Sequence, residues 1–95
     1  MNLERKLNSV GKSVFVRHYD IFELYDSGQI GREEAINFLM DSKTSNYNGA
    51  SIRVGNAKAI FDNGKVKEAL NLVLQAERVS LEVKDKASKI IEKIV

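Results

Sequence analysis

One histidine and a few nearby carboxylates are the groups in this sequence that could perform acid–base chemistry. His18 falls among apolar residues of a predicted helix, and Asp20, two positions later, lies on a different face of that helix. A carboxylate in that position cannot orient the imidazole as the acid of a catalytic triad does. We therefore predict a partly buried His18 beside aromatic side chains, with a general base or a pH switch as the alternative. The chain is not predicted to be an enzyme.

Three acidic residues at three-residue spacing, Asp20, Glu23 and Asp26, could bracket a metal ion. A metal site needs further ligands, and the sequence has no second histidine to supply one. A solvated acidic helix face is the preferred interpretation. A Gly-Lys-Ser triplet begins at Gly11, but the upstream glycine and the strand of a phosphate-binding loop are missing. We predict no metal ligand and no small-molecule cofactor.

Residues 23–34 resemble a degenerate EF-hand calcium loop. Gly28, Ile30 and Glu34 stand where that motif places its turn glycine, its apolar residue and its last ligand. The first and third ligand positions hold Glu23 and Tyr25, however, and tyrosine is not a usual calcium ligand. An ordinary glycine-turned connection between two helices explains the same residues.

Nucleic-acid binding is one of two functions that the sequence suggests. Predicted helices over 31–42 and 52–62 could form a helix-turn-helix, with residues 43–48 contacting phosphates or bases. The intervening segment is longer than the three or four residues of the standard motif. Arg53 also falls within or beside an apolar arc, where it could be an internal hydrogen-bonding group instead. The basic residues predicted for this function are Lys43, Arg53, Lys58, Lys65 and Lys67.

Protein binding is the other suggested function, and the preferred one. Both terminal helices carry apolar residues at the 4-3-4 spacing of helix–helix seams. These seams either close over the core or form a dimer seam or partner groove. A polar segment over 43–50 adds Tyr47, a residue type favoured at binding surfaces. The predicted partner-binding residues are Leu3, Leu7, Val83, Ile90 and Ile94 of the seams and Asn46, Tyr47 and Asn48 of the polar segment.

The elements that would position these residues are helices, because apolar side chains recur every three or four positions and proline is absent. We predict a compact orthogonal or antiparallel bundle of five to six short helices. The helices over 52–62 and 65–77 have wide apolar arcs, which predict central positions in the bundle. The last helix has a narrow apolar stripe, which predicts a peripheral position. The predicted segments are 2–25 with a bend or break at Gly11, 31–42 beginning at Gly31, 52–62 capped by Ser51, 65–77, and a last helix beginning at Ser80.

The composition indicates a single domain over residues 1–95, without cysteine to form disulfides or thiolate metal sites. The net charge is +2, with six basic and seven acidic side chains in residues 1–48 and nine and six in residues 49–95. No apolar run exceeds three residues, so neither a membrane span nor a signal peptide is predicted. The expected location is the cytoplasm.

These patterns predict a non-enzymatic helical protein that binds another protein or a second copy of itself. A small regulatory, adaptor or inhibitor protein of a bacterium or phage fits its size. The alternative is a nucleic-acid-binding protein that uses the loop and helix over 43–67.

Overall fold

The computed structural model describes residues 1–43 and 45–94. These residues fold into seven helices, and no strand occurs among them. The predicted all-α class is confirmed, while the count exceeds the predicted five to six. The helices are α1 (Leu3–Val10), α2 (Lys12–Arg17), α3 (Tyr19–Asp26), α4 (Arg32–Asp41), α5 (Tyr47–Asp62), α6 (Val66–Gln75) and α7 (Leu81–Ile94).

The additional helices come from the first predicted segment, which is broken twice. Gly11 has φ +93°, a conformation that favours glycine, and it ends α1 by donating its N–H to the Leu7 carbonyl at 2.8 Å. The expected interruption at Gly11 is therefore present. A second interruption at His18, with φ −108° and ψ 20°, separates α2 from α3. The prediction of an unbroken helix from Gly11 to Tyr25 was wrong there, because no glycine or proline marks the position.

The longest helix, α5, begins earlier than predicted. The Asn46 side chain accepts a hydrogen bond from the Gly49 N–H at 2.8 Å, which caps the helix five residues before Ser51. The predicted polar loop over 43–50 was therefore wrong from Tyr47 onward. Two other predicted starts are confirmed, because Gly31 donates to Glu34 Oε1 at 3.3 Å before α4 and Ser80 Oγ accepts from the Val83 N–H at 3.3 Å before α7.

All seven helices contribute to one cluster of buried apolar side chains. Helix α5 packs against α1, α3, α4 and α6, which is the central position predicted for it. Helix α7 packs chiefly on α6 and α2, at the periphery. Phe15 lies at the centre of an aromatic group, with its ring centroid 6.0 Å from that of Phe22 and 6.1 Å from that of Phe61. None of the described helices is long and apolar enough to cross a membrane.

Candidate functional site

The junction between α4 and the first turns of α5 holds the exposed aromatic residue that the sequence singled out. Tyr47 is 44% exposed, and its hydroxyl donates a hydrogen bond to Glu33 Oε1 at 2.8 Å. One turn later, Arg32 Nη2 donates to Ser51 Oγ at 2.6 Å. The carboxylate acceptor raises the pKa of the Tyr47 phenol. Two side-chain bonds therefore hold the start of α5 against the start of α4.

The two helices joined here also carry exposed apolar side chains. Ile52 is 57% exposed and lies one turn after the exposed Asn48 on the outer side of α5. Met40, 37% exposed, lies seven residues after Glu33 and so on the same side of α4 as the Tyr47 anchor. We call Met40, Tyr47, Asn48 and Ile52 the Tyr47 surface. Its exposed apolar groups are typical of protein-contact surfaces rather than of reactive sites.

Asn46 is exposed and also has a structural role. Its amide oxygen accepts the Gly49 N–H, so this oxygen already satisfies one of the free donors at the start of α5. The sequence placed Asn46 with Tyr47 and Asn48 in a loop. In the fold only Tyr47 and Asn48 present their side chains from the helix.

The two predicted seams close over the core, which is one of the two alternatives for them. Leu7 is fully buried, Val83 is 2% exposed and Ile90 is 9% exposed. A partner cannot reach these three side chains unless the bundle opens, so their assignment to a partner surface is corrected. Leu3 is half-buried at the edge of α1, and Ile94 is 41% exposed near the end of α7.

Two of the five predicted nucleic-acid contacts, Arg53 and Lys58, are bonded to other groups of the same chain. Arg53 donates through Nη1 to the Val10 carbonyl at the end of α1, the internal bond foreseen as its alternative. Lys58 Nζ lies 2.7 Å from Asp62 and 2.9 Å from Asp26, and hydrogen bonds to these carboxylates raise its pKa. Neither side chain is free to read a base.

The remaining predicted basic contacts lie at the surface. Lys43, Lys65 and Lys67 are exposed, and Lys65 Nζ lies 4.0 Å from Glu68 Oε2. Residues 42–46 connect α4 to α5, a shorter link than the sequence predicted. Thr44, which falls in the predicted phosphate-contacting segment, lies outside the described residues. These exposed cations are ordinary solvated lysines on outer faces.

His18 is partly buried, as predicted, at the corner between α2 and α3. Its Nε2 lies 3.4 Å from Ser42 Oγ at the end of α4. Burial lowers the imidazole pKa, and the nearby cations Lys86, Arg17 and Arg53 lower it further. These surroundings favour the neutral ring.

No cluster of three metal-ligating side chains occurs among residues 1–43 and 45–94. The residues that resemble an EF-hand form a different structure. Helix α3 continues to Asp26 and α4 begins at Arg32, so only five residues connect the two helices. A calcium loop of twelve residues therefore has no counterpart there.

A groove between α1 and α6 contains functional candidates that the sequence did not predict. It is an open depression of about 920 Å³, and Leu3 is the one predicted partner-binding residue in its lining. Leu72, Glu4 and Glu68 also line it. The sequence could have indicated Leu72 through its angular position on α6, because it lies beside the apolar arc that contains Ala69 and Val73.

Comparisons with known protein families, with curated proteins and with solved structures find no match to this chain.

Proposed function

We propose that this chain is a non-enzymatic protein-binding module and that the Tyr47 surface contacts its partner. The observation that carries the proposal is a tethered, exposed tyrosine with exposed Met40 and Ile52 on the same pair of helices. A side chain already held in position loses less conformational entropy when a partner covers it. Aromatic and methionine side chains are enriched where proteins meet.

Internal charge pairing supports this proposal over nucleic-acid binding. A groove-reading helix needs free donors, yet Arg53 and Lys58 on α5 are bonded to groups of the same chain. The nucleic-acid alternative then depends on Lys43, Lys65 and Lys67. It predicts salt-dependent retention on DNA that weakens in a Lys65→Glu, Lys67→Glu variant.

A regulatory or adaptor role in a bacterial or phage cytoplasm is the setting we propose for this module. No cluster of three metal-ligating side chains occurs among residues 1–43 and 45–94, and a helical protein of this kind acts most simply by occupying a surface of another protein. The absence of cysteine is compatible with a reducing compartment.

Site-specific photo-crosslinking tests the Tyr47 surface directly. A photoreactive phenylalanine analogue at Asn48 is expected to capture a discrete protein, whereas the same analogue at Leu81 is not. Leu81 is the matched control because it is 81% exposed on a different helix. Adducts of equal yield from both positions, or none from Asn48, would contradict the proposal.

Two charge substitutions sharpen the same experiment. Ile52→Glu places a carboxylate on the Tyr47 surface and is expected to abolish the Asn48 adduct, whereas Leu81→Glu leaves it unchanged. Light scattering on the purified chain identifies the partner class. A dimer that Ile52→Glu dissociates indicates self-association, and a monomer that still gives the adduct in cells indicates another protein.

A further inference from the structure

The groove between α1 and α6 is a second candidate surface, on other helices than those that carry the Tyr47 surface. Helix α1 packs mainly on α5 and contacts α6 more lightly. An open depression of about 920 Å³ lies between residues 1–4, at the start of α1, and residues 68–75 of α6. A further depression of about 260 Å³ shares Glu4, Leu72 and Gln75 with the first and continues along both helices. The concavity therefore follows the helices instead of forming an isolated pit.

The groove has an apolar part provided by leucines. Leu3 of α1 and Leu72 of α6 are both half-buried, pack against the core and line the opening. At about 1.5 Å per residue, the eight residues of α1 and the ten of α6 span roughly 12 and 15 Å. A helix of two to three turns fits along such a length, and helices dock in grooves through apolar residues on one face.

The larger depression of the groove presents two carboxylates, Glu4 and Glu68, in a chain whose net charge is +2. None of the described side chains that line this larger depression is basic. Lys12 lines the smaller depression, where its Nζ donates to Asn8 Oδ1 at 2.8 Å. Glu68 has only the exposed Lys65 at 4.0 Å, which is a weak interaction in water. No ion pair to Glu4 is seen within residues 1–43 and 45–94. Two carboxylates beside two leucines complement a helix whose apolar stripe is flanked by lysine or arginine.

We propose that the groove between α1 and α6 binds a basic amphipathic helix of another protein. Apolar residues of that helix contact Leu3 and Leu72, and its cations meet Glu4 and Glu68. This inference goes beyond the proposed function because it concerns other helices and a defined partner chemistry. A partner on the Tyr47 surface neither requires nor excludes it.

Two synthetic helices of equal length provide the probe. Both carry leucine at positions i, i+3, i+4 and i+7, and one is flanked by lysine and the other by glutamate. Fluorescence anisotropy is expected to show that the lysine peptide binds at least about tenfold more tightly, with an affinity that falls as salt is added. Equal binding of both peptides, or binding of neither, would overturn the proposal.

Charge reversal separates the groove from general electrostatics. The Glu4→Lys, Glu68→Lys variant is expected to reverse the preference toward the glutamate peptide. Glu82→Lys, Glu92→Lys is the matched control, because it makes the same change in net charge at two exposed positions of α7. If the control reverses the preference equally, the groove is not the binding site.

The apolar part is tested by Leu72→Glu, which is expected to weaken binding of the lysine peptide by about tenfold or more. Circular dichroism establishes that the variant remains helical, and Ile52→Glu serves as the control on the other surface. If the purified chain is instead a dimer that Leu72→Glu dissociates, the groove is occupied by a second copy and the proposal is wrong. If no adduct forms at Asn48 but the lysine peptide still binds, the proposed function fails and the groove proposal stands. If the adduct forms but the peptide does not bind, the groove proposal fails and the proposed function stands.

Discussion

The pair α4 and α5 and the pair α1 and α6 differ in the contacts that hold the two helices together. The first pair is packed and also tied by Tyr47 to Glu33 and by Arg32 to Ser51. The second pair is in lighter contact and has a groove beside it, because α1 packs mainly on α5. A helix with a narrow apolar stripe can bury that stripe fully against only one neighbouring helix, so its contact with a second helix is less complete.

The two proposals assign different kinds of recognition to these two regions. The Tyr47 surface is already held in place, so a partner needs only to cover it. The groove has unfilled space beside Leu3 and Leu72, so its partner must insert side chains. Both depend on α5, which supports α1 on one side and α4 on another.

The largest effect on stability is expected from removing the side chain that anchors α1 in the core. Leu7→Ala deletes most of a fully buried side chain, and the loss of buried surface plus the remaining cavity is expected to lower the free energy of unfolding by about 2–5 kcal/mol. Urea titration measures this change. Leu81→Ala, at an exposed leucine, is the control and is expected to change stability little. Similar losses in both variants would show that α1 is not anchored through Leu7.

The angle between α1 and α2 depends on Gly11, and Gly11→Ala is expected to cost about 1–2 kcal/mol or more. A left-handed backbone disfavours alanine, and its Cβ would lie 2.8 Å from Arg53 Nη1. Gly55→Ala is the matched control, because Gly55 lies inside α5 with open space where a Cβ would be. It is expected to raise stability by about 0.5–1 kcal/mol through helix propensity. Thermal or urea unfolding of both variants tests the opposite signs.

A smaller, pH-dependent effect is expected at His18, at the corner between α2 and α3. Burial and the neighbouring Lys86, Arg17 and Arg53 lower its pKa in the folded protein below 6.5, so the unfolded chain binds the proton more tightly. Its contribution to stability is full above pH 6.5 and is lost as the pH falls through the lowered folded-state pKa. Melting temperatures between pH 7.5 and 5 are expected to fall less steeply in His18→Gln. Parallel curves for the two proteins would contradict this assignment.

The smallest change to stability is expected for Tyr47→Phe. The substitution removes the hydroxyl that donates to Glu33 and leaves the exposed ring in place. Global unfolding should hardly change, because both partners are exposed and water replaces the bond. Hydrogen exchange of the amides in the first two turns of α5 is expected to become faster, and Glu33→Ala should produce the same pattern. Unchanged exchange in both variants would show that the bond does not hold the junction.

Local features of the fold were accessible from the sequence because they depend on neighbours three or four positions apart. The starts of α4 and α7, the interruption at Gly11 and the central place of α5 follow from capping residues, backbone freedom and the width of apolar arcs. The early start of α5 was missed because Ser51 and Asn46 are both good capping residues, and tertiary packing decides between them. The break at His18 has no local marker at all.

The sequence by itself therefore determined the helical class, most helix ends and which faces are apolar, since each is set within one or two helical turns. Only the tertiary structure decided that Arg53 bonds to the Val10 carbonyl, that Lys58 pairs with Asp26, and that α1 rests on α5 and leaves a groove beside α6. Those contacts join residues distant along the chain. Their geometry depends on how several apolar faces share one core, which no single segment specifies.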